Sequence, residues 1–201
     1  MTIFFTSDTH LGHANIIKYC DRPFRDTDHM DEVIIQRWNE TVSPEDTVFH
    51  LGDIALGPID KSLPKVARLN GYKIAVLGNH DRPFMRMFKS DELDWWDRYR
   101  EVFQEVWHWN SKTPGFEQSV LLNGQEFRVS HFPYTGDHTP EDRHADHRPV
   151  DDGLPLIHGH THTTDRLTLS SKGTPQIHVG QDAWSFRPVG EDQIMDLWVK
   201  G

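Results

Sequence analysis

Cysteine, basic side chains and long apolar runs are scarce in this sequence, and each scarcity excludes a class of protein. The 201 residues include one cysteine, Cys20, so an internal disulfide cannot form and a reducing, cytoplasmic setting is expected. Lys and Arg number 21 against 31 Asp and Glu, and the net charge of -10 argues against binding to extended nucleic acid. No apolar run approaches membrane-spanning length, and the polar stretch at residues 7–10 begins too early for a signal peptide.

The length predicts a single domain over residues 1–201, with two unusual segments inside it. Residues 82–109 contain four of the seven tryptophans, and we expect one or two helices followed by a strand there. Such aromatic side chains more often pack a helix against a sheet edge than form a substrate platform, so the packing interpretation is favoured. Residues 133–152 form a long polar loop, and loops longer than about 12–15 residues are usually functional or disordered.

Potential metal ligands follow five short apolar runs. The runs occupy residues 2–7, 47–51, 73–77, 126–130 and 154–158. The ligands are Asp8, His10, Asp53, Asn79, His131, His160 and His162. Each run has the length and the β-branched or aromatic content of a buried strand. Because open α/β sheets bind ligands at the carboxyl ends of their strands, the seven side chains are expected to converge on one site.

Helical spacing appears between the first strands and at the end of the chain. Between the first two runs it places apolar residues at Met30, Val33, Ile34, Trp38 and Val42, with Thr27 or Asp28 as a cap. A second helix is predicted after Pro58, with Leu63, Val66, Ala67 and Leu69 facing inward. Residues 192–199 predict a short closing helix, and the segment after residue 117 is rich in strands. This order favours a partly parallel sheet covered by helices.

The predicted ligands suit a pair of divalent ions better than one. Carboxylate and amide oxygens combined with imidazole, without a thiolate, suit Mn, Fe, Zn or Ni. Seven ligands are too many for one first-row ion, but two ions can share a bridging ligand. Two ions about 3.5–4 Å apart can activate a water between them and stabilise the attacking and leaving oxygens of a displacement at phosphorus.

The motifs together resemble the calcineurin-like metallophosphoesterase family. The family pattern is Asp-x-His, Gly-Asp, Gly-Asn-His-Asp/Glu, a lone His, and Gly-His-x-His, and all five blocks occur here in order between Asp8 and His162. Residues 179–189 also resemble compact stand-alone bacterial or phage members. The resemblance implies an α/β fold in which two mixed β-sheets pack as a sandwich flanked by helices.

The same resemblance implies how the ligands divide. One ion would be held by Asp8, His10, Asp53 and His162, and the other by Asp53, Asn79, His131 and His160, so that Asp53 bridges. His80 would lie above the ions as the general acid for the leaving oxygen or as a donor to the phosphate, oriented by Asp81. Manganese is the expected ion, with Fe, Zn or Ni as alternatives.

The predicted function is that of a phosphodiesterase, in which a hydroxide bridging two metal ions attacks phosphorus. Small diesters such as 2′,3′-cyclic nucleotides are candidate substrates. A phosphomonoesterase of the same family is the first alternative, and a DNA nuclease or a non-catalytic scaffold follows. The acidic balance argues against the nuclease, and the complete ligand set argues against the scaffold.

Histidines outside the ligand set have more than one interpretation. His13 could face the metals as a candidate substrate contact, or it could cap the helix that begins at residue 14. His50 and His158 lie inside apolar runs and are predicted to be buried and hydrogen-bonded rather than ligands. His178 and Asp182 are candidates for supporting the site from behind.

The long polar loop carries candidate substrate contacts. Its cationic and aromatic residues are Tyr134, His138, Arg143, His144, His147 and Arg148. Arginine suits phosphate recognition because its guanidinium presents a fork of donors. His147 and Arg148 are therefore substrate candidates, with a solvated surface loop as the alternative, and the loop itself is a candidate lid.

Overall fold

A computed structural model of the chain describes residues 1–85, 92–107, 118–137, 139 and 143–200. The strands are β1 (Ile3–Thr6), β2 (Thr47–His50), β3 (Tyr72–Val76), β4 (Glu105–Trp107), β5 (Ser119–Leu122), β6 (Gln125–Ser130), β7 (Leu156–His158), β8 (Leu167–Leu169), β9 (Pro175–His178) and β10 (Val189–Gly190). The helices are α1 (Ala14–Tyr19), α2 (Thr27–Thr41), α3 (Ile59–Ser62), α4 (Arg82–Met85), α5 (Glu92–Arg100) and α6 (Glu191–Lys200). Short 3₁₀ segments lie at Leu63–Arg68, Ala145–His147 and Gln181–Ala183.

The strands form two mixed sheets. The first has the order β10-β1-β2-β3-β4, in which β1 to β4 are parallel and β10 is antiparallel to β1. The second has the order β5-β6-β7-β9-β8, with a parallel centre of β6, β7 and β9 and an antiparallel strand at each edge. The predicted fold class, two mixed sheets with flanking helices, is confirmed.

The alternation of side chains along the strands builds two apolar layers. Phe5, Phe49 and Ile74 of the first sheet pack with Phe127 and Ile157 of the second, which fills the space between the sheets. The residues between them in sequence face the helices, because successive side chains of a strand point to opposite faces. Val48 and Ala75 accordingly lie in the second layer, with buried residues of α1 and α2.

Helix α2 confirms the predicted apolar face, but its cap differs from the prediction. Met30, Ile34 and Trp38 are buried as expected. The cap is Asp26, rather than Thr27 or Asp28, because Asp26 keeps an extended backbone and its side chain accepts the His29 amide at 2.8 Å.

The segment after Pro58 is only partly α-helical. One α-helical turn, α3, is followed by the 3₁₀ segment Leu63–Arg68, because Pro64 has no N–H to donate in an α-helical ladder. A 3₁₀ helix repeats every three residues, so Leu63, Val66 and Leu69 are buried together. Ala67, which was predicted to face inward, is exposed.

The tryptophan-rich segment contains the helices α4 and α5 followed by the strand β4, in agreement with the one or two helices and a strand that were predicted. In α5, Trp95 and Trp96 pack partly buried against the layer between the first sheet and the helices. In β4, Trp107 packs against Phe49 with ring centroids 5.4 Å apart. These contacts favour the packing interpretation, although residues 86–91, 108 and Trp109 lie outside the described residues. Within the described part of the chain, no helix is long and apolar enough to cross a membrane.

Candidate metal centre

The register of the two sheets brings the predicted ligands to one end of the molecule. Thr6, His50 and Ala75 are paired across β1, β2 and β3, so the ligand-bearing segments after these strands start at the same edge. In the second sheet, Ser130 is paired with His158, so His131 and His160 also follow at one edge. The His131 imidazole nitrogen Nδ1 lies 2.7 Å from the carbonyl oxygen of Leu51, which joins the two sheets at this end.

The first group of ligand atoms surrounds the space between Asp8, His10 and His162. The Nε2 atoms of His10 and His162 lie 3.3 Å apart, and Asp8 Oδ1 lies 4.0 Å from the first and 3.8 Å from the second. Asp53 Oδ2 lies 3.7 Å from His10 Nε2. Two imidazole nitrogens and two carboxylate oxygens therefore face one another, as expected of the first metal-binding group.

Asp53 lies between this group and a second one. Its other oxygen, Oδ1, is 3.7 Å from His131 Nε2, and that nitrogen is 3.0 Å from Asn79 Oδ1. The two carboxylate oxygens of Asp53 thus point toward different sets of nitrogen and oxygen donors. This arrangement is what a ligand shared by two ions requires. The backbone N–H of His160 donates to Asp8 Oδ2 at 3.0 Å, and the ring centroid of His160 lies 5.1 Å from that of His131.

His80 occupies the position expected of a group that contacts substrate. Its side chain is 43% exposed, and its Nε2 lies 4.0 Å from Asp53 Oδ2. Its backbone N–H donates to Asp53 Oδ1 at 2.8 Å, which fixes the turn that carries it. The imidazole is therefore close to the shared carboxylate but open to the cavity above it.

Asp81 does not form the orienting contact to His80 that the sequence predicted. Its buried carboxylate accepts the backbone N–H groups of Asp53, Ile54 and Gly78 at 2.7–3.1 Å, and the hydroxyl of Tyr99 at 3.0 Å. No hydrogen bond joins it to the His80 imidazole in the described part of the chain. The local reason is that three backbone amides of the two ligand loops point at this carboxylate and donate to it. Asp81 holds the loops of Asp53 and Asn79 together.

A buried carboxylate oxygen without a partner and the shifted pKa values of the predicted ligands suit the binding of divalent cations. Asp8 Oδ1, which faces the Nε2 atoms of His10 and His162, is buried without a hydrogen-bond partner in the described structure. Burial raises the pKa of Asp8 and of Asp53, because a carboxylate is costly to ionise away from water. Burial lowers the pKa of His10, which favours the neutral imidazole that binds metals. Bound cations would offset the buried carboxylate charge.

The backbone at the predicted ligands is strained. Asp8, His10, Asp53, His160 and His162 all have positive φ angles, between 50° and 71°. Non-glycine residues adopt this left-handed region infrequently, and such a conformation costs of order 1–3 kcal/mol. Strain concentrated on five of the seven predicted ligands is typical of a functional site rather than of a structural turn.

Two glycines allow the ligand loops to approach. A Cβ atom at Gly78 would meet Asp53 Oδ1, and it would lie 2.6 Å from Asp53 N and 2.8 Å from His131 Nδ1. A Cβ atom at Gly159 would lie 2.7 Å from Asp8 Oδ2. Glycine is therefore needed at both positions for the carboxylates to lie where they do.

A buried ion pair supports His162 from behind. The Arg22 guanidinium contacts Asp182 through Nε at 2.8 Å, and it donates to the Asp8 carbonyl oxygen at 2.8 Å. Asp182 Oδ2 in turn lies 3.1 Å from His162 Nδ1. Although burial alone would raise it, the pKa of Asp182 is lowered to about 2 by His162 and Arg22. A carboxylate that contacts the outer nitrogen of a ligating histidine fixes the ring and its tautomer.

Cys20 also lies at this edge, and sequence reasoning did not identify it as part of the site. Its sulfur, a nitrogen of His162 and an oxygen of Asp182 lie within 4.8 Å of one another. The predicted ligand set contained no thiolate. The sequence did offer one signal. Helix α1 begins only a few residues after the predicted ligand His10, and Cys20 directly follows this helix.

A cavity of about 660 Å³ opens above the two groups. Beyond the predicted ligands and His80, it is lined by His13, Asn15, Ile16, Tyr19, Cys20, Leu56, Arg143, His144 and Thr161. His13 precedes α1 without a side-chain capping hydrogen bond, and its ring lies 5.3 Å from that of His10. Of its two interpretations, the structure thus favours the one in which His13 faces the site.

The loop residues that reach the cavity are not those singled out from the sequence. His147 and Arg148 do not line it. Arg148 donates to the carbonyl oxygens of Gly136 and Arg143 at 2.9 and 3.2 Å, and the His147 ring lies 5.0 Å from that of Phe84. Arg143 and His144 line it instead. His138 lies outside the described residues, and a lid function of the loop stays a prediction.

The other buried histidines lie beneath the site. His50 contacts Thr9 Oγ1 at 2.9 Å, and His158 Nδ1 lies 2.8 Å from the Gly159 carbonyl oxygen, as the sequence predicted. His178 is buried with its ring centroid 5.4 Å from that of His158. These three rings pack behind the ligand loops and are not among the predicted ligands.

Comparisons with known proteins agree with this geometry. The model of the calcineurin-like phosphoesterase superfamily domain matches residues 1–180. The gene 66 protein of Mycobacterium phage L5 is 37% identical over 202 residues, covering 96% of this chain and 92% of the relative. An uncharacterised protein of Methanocaldococcus jannaschii is 30% identical over 206 residues, covering 99% and 92%. The crystal structure of a protein of unknown function from Aquifex aeolicus aligns with a TM-score of 0.68 at 26% identity, covering 98% of each chain. The chain therefore belongs to the calcineurin-like phosphoesterase superfamily, whose members are generally metal-dependent hydrolases.

Proposed function

We propose that this protein hydrolyses small phosphodiesters with two divalent metal ions, and that 2′,3′-cyclic nucleotides are candidate substrates. The observation that carries the proposal is the position of Asp53, whose two oxygens face two separate sets of donors. Asp8, His10 and His162 would hold one ion with Asp53, and Asn79, His131 and His160 would hold the other. Bound divalent ions would supply an activated water and offset the charge that develops on the phosphoryl oxygens.

His80 is placed to donate a proton to the leaving alcohol of a phosphate ester. In hydrolysis, the phosphorus–oxygen bond to the leaving alcohol breaks, the new bond to phosphorus comes from water, and the leaving oxygen gains a proton. An alkoxide is a poor leaving group, so a positioned proton donor contributes typically about 10²–10⁴-fold. His80 is exposed to the cavity and 4.0 Å from the shared carboxylate, which suits this role.

The proposal is tested with matched diester and monoester substrates. Bis-p-nitrophenyl phosphate and p-nitrophenyl phosphate are assayed with Mn²⁺, Ni²⁺, Zn²⁺ and Mg²⁺, and bound metal is counted by mass spectrometry. We expect about two ions per chain and a higher kcat/KM for the diester. Faster hydrolysis of the monoester would make the protein a phosphomonoesterase, and one ion per chain would exclude the dinuclear centre.

A further inference from the structure

One wall of the cavity takes no part in holding metal ions. Helix α1 supplies Asn15, Ile16 and Tyr19 to this wall, and Leu56 extends it. The cavity of about 660 Å³ lies within the range of about 300–1,000 Å³ that holds drug-sized ligands. A phosphate group alone would leave most of this space unfilled, so the wall is available to the organic part of the substrate.

Tyr19 lies where that organic part would project. The ring of His13 is 5.3 Å from the ring of the predicted ligand His10. The ring of Tyr19 is in turn 6.5 Å from that of His13, in a T-shaped arrangement. Tyr19 is 74% exposed, so most of its surface remains available for contact. His13 and Tyr19 therefore follow one another along the cavity wall away from the predicted ligand His10, and this is the direction in which we place the alcohol group of a bound ester.

The chemistry of the wall fits a planar heteroaromatic group. Ile16 and Leu56 offer apolar contact, and Tyr19 offers an aromatic surface on which any base can stack. Asn15 is exposed, and its amide, which carries both donors and acceptors, makes no hydrogen bond to the described residues. A quaternary ammonium group is usually held by a cage of several rings, whereas this wall has one tyrosine and no carboxylate.

We propose that Asn15, Ile16 and Tyr19 of α1 form a binding site for a nucleobase, so that the substrates of this protein are nucleotide diesters. The proposal rests on the proposed phosphodiesterase function and adds the identity of the alcohol group. Stacking on Tyr19 supplies affinity with little preference among bases, because every base has a π-face.

The test compares two cyclic diesters that differ by the base. Adenosine 2′,3′-cyclic monophosphate and glycerol 1,2-cyclic phosphate share the five-membered cyclic phosphate, but only the first carries a base. Their kcat/KM values with Mn²⁺ are measured for the wild type, Tyr19→Ala, Tyr19→Phe and Tyr72→Ala. Tyr72 is the matched control, because it is also partly exposed but starts β3, at the end of the strand away from the site.

The ratio of the two kcat/KM values is the measured quantity. We expect Tyr19→Ala to lower the nucleotide-to-glycerol ratio about tenfold, which corresponds to ~1.4 kcal/mol and lies within the range for stacking one base. Tyr19→Phe, which keeps the ring, and Tyr72→Ala should keep the wild-type ratio. An unchanged ratio in Tyr19→Ala, or a wild-type preference for glycerol 1,2-cyclic phosphate over the nucleotide, would overturn the nucleobase site. If the wild type hydrolyses no diester, the proposed function itself fails.

Discussion

At the scale of single residues, the shared carboxylate and the exposed imidazole have separable functions. Asp53→Ala is expected to lose both ions, because its two oxygens face both donor groups. His80→Ala should keep both ions and lose about 10²–10⁴-fold in kcat on esters with alkoxide leaving groups. Metal content by mass spectrometry and kcat on a cyclic nucleotide check both expectations. Full activity of His80→Ala would refute the proton-donor assignment.

Asp182 offers a second test at this scale. Because its carboxylate contacts the outer nitrogen of His162, Asp182→Asn is expected to weaken metal binding about 10–100-fold. Equilibrium dialysis against Mn²⁺ at a temperature well below unfolding measures the dissociation constants. Asp165→Asn is the matched control, since Asp165 is exposed and its carboxylate does not contact the ligands. Equal affinity in the two variants would show that Asp182 only stabilises the fold.

At the scale of elements, the convergence of the ligand loops depends on glycine. Gly78→Ala is expected to displace Asp53 and His131, because the added Cβ would lie 2.6 Å from Asp53 N and 2.8 Å from His131 Nδ1. A displacement of this kind can lower activity about 10²-fold. Gly190→Ala in β10 is the control, where the Cβ would meet Phe4 at an ordinary 3.6 Å. The activity and metal content of the purified variants are compared, and wild-type values for Gly78→Ala would contradict the geometry.

The elements also show what sequence reasoning can and cannot reach. The predicted ligands could be placed together from the sequence alone, because the strands are recognisable there and the carboxyl ends of parallel strands meet at one edge of the sheet. The Asp81 contacts could not be foreseen, because they depend on loop amides and on Tyr99 of a later helix. Tyr19 and Cys20 were missed since the orientation of a short helix is set by packing. His144, one of the two loop residues that line the cavity, depends on a left-handed backbone that composition does not specify.

At the scale of the whole molecule, buried histidines couple folding to pH. Burial lowers the pKa of His50 to about 3, whereas an unfolded histidine titrates near about 6.5. A group with a depressed folded pKa contributes stability above its unfolded pKa and loses it as the pH falls toward the folded value. Acidification from pH 8 to pH 5 should therefore remove about 2 kcal/mol of folding free energy through His50 alone.

The measurement is urea unfolding of wild type and His50→Gln in chelator at both pH values. The free energy of unfolding of the wild type minus that of the variant should shrink by about 2 kcal/mol on acidification. Burial raises the pKa of Asp8 and of Asp53, so these groups act in the opposite direction. They are present in both proteins and cancel in the difference. A difference that does not change with pH would contradict the expectation.

The left-handed ligands have a consequence for how this sequence can change. Glycine adopts a positive φ without steric penalty, so Asp8→Gly or His160→Gly would remove a predicted ligand and relieve the backbone at once. A laboratory screen that rewarded heat resistance alone, without metal, would therefore enrich inactive sequences with glycine at these positions. Only a screen that also rewarded turnover would keep aspartate and histidine there.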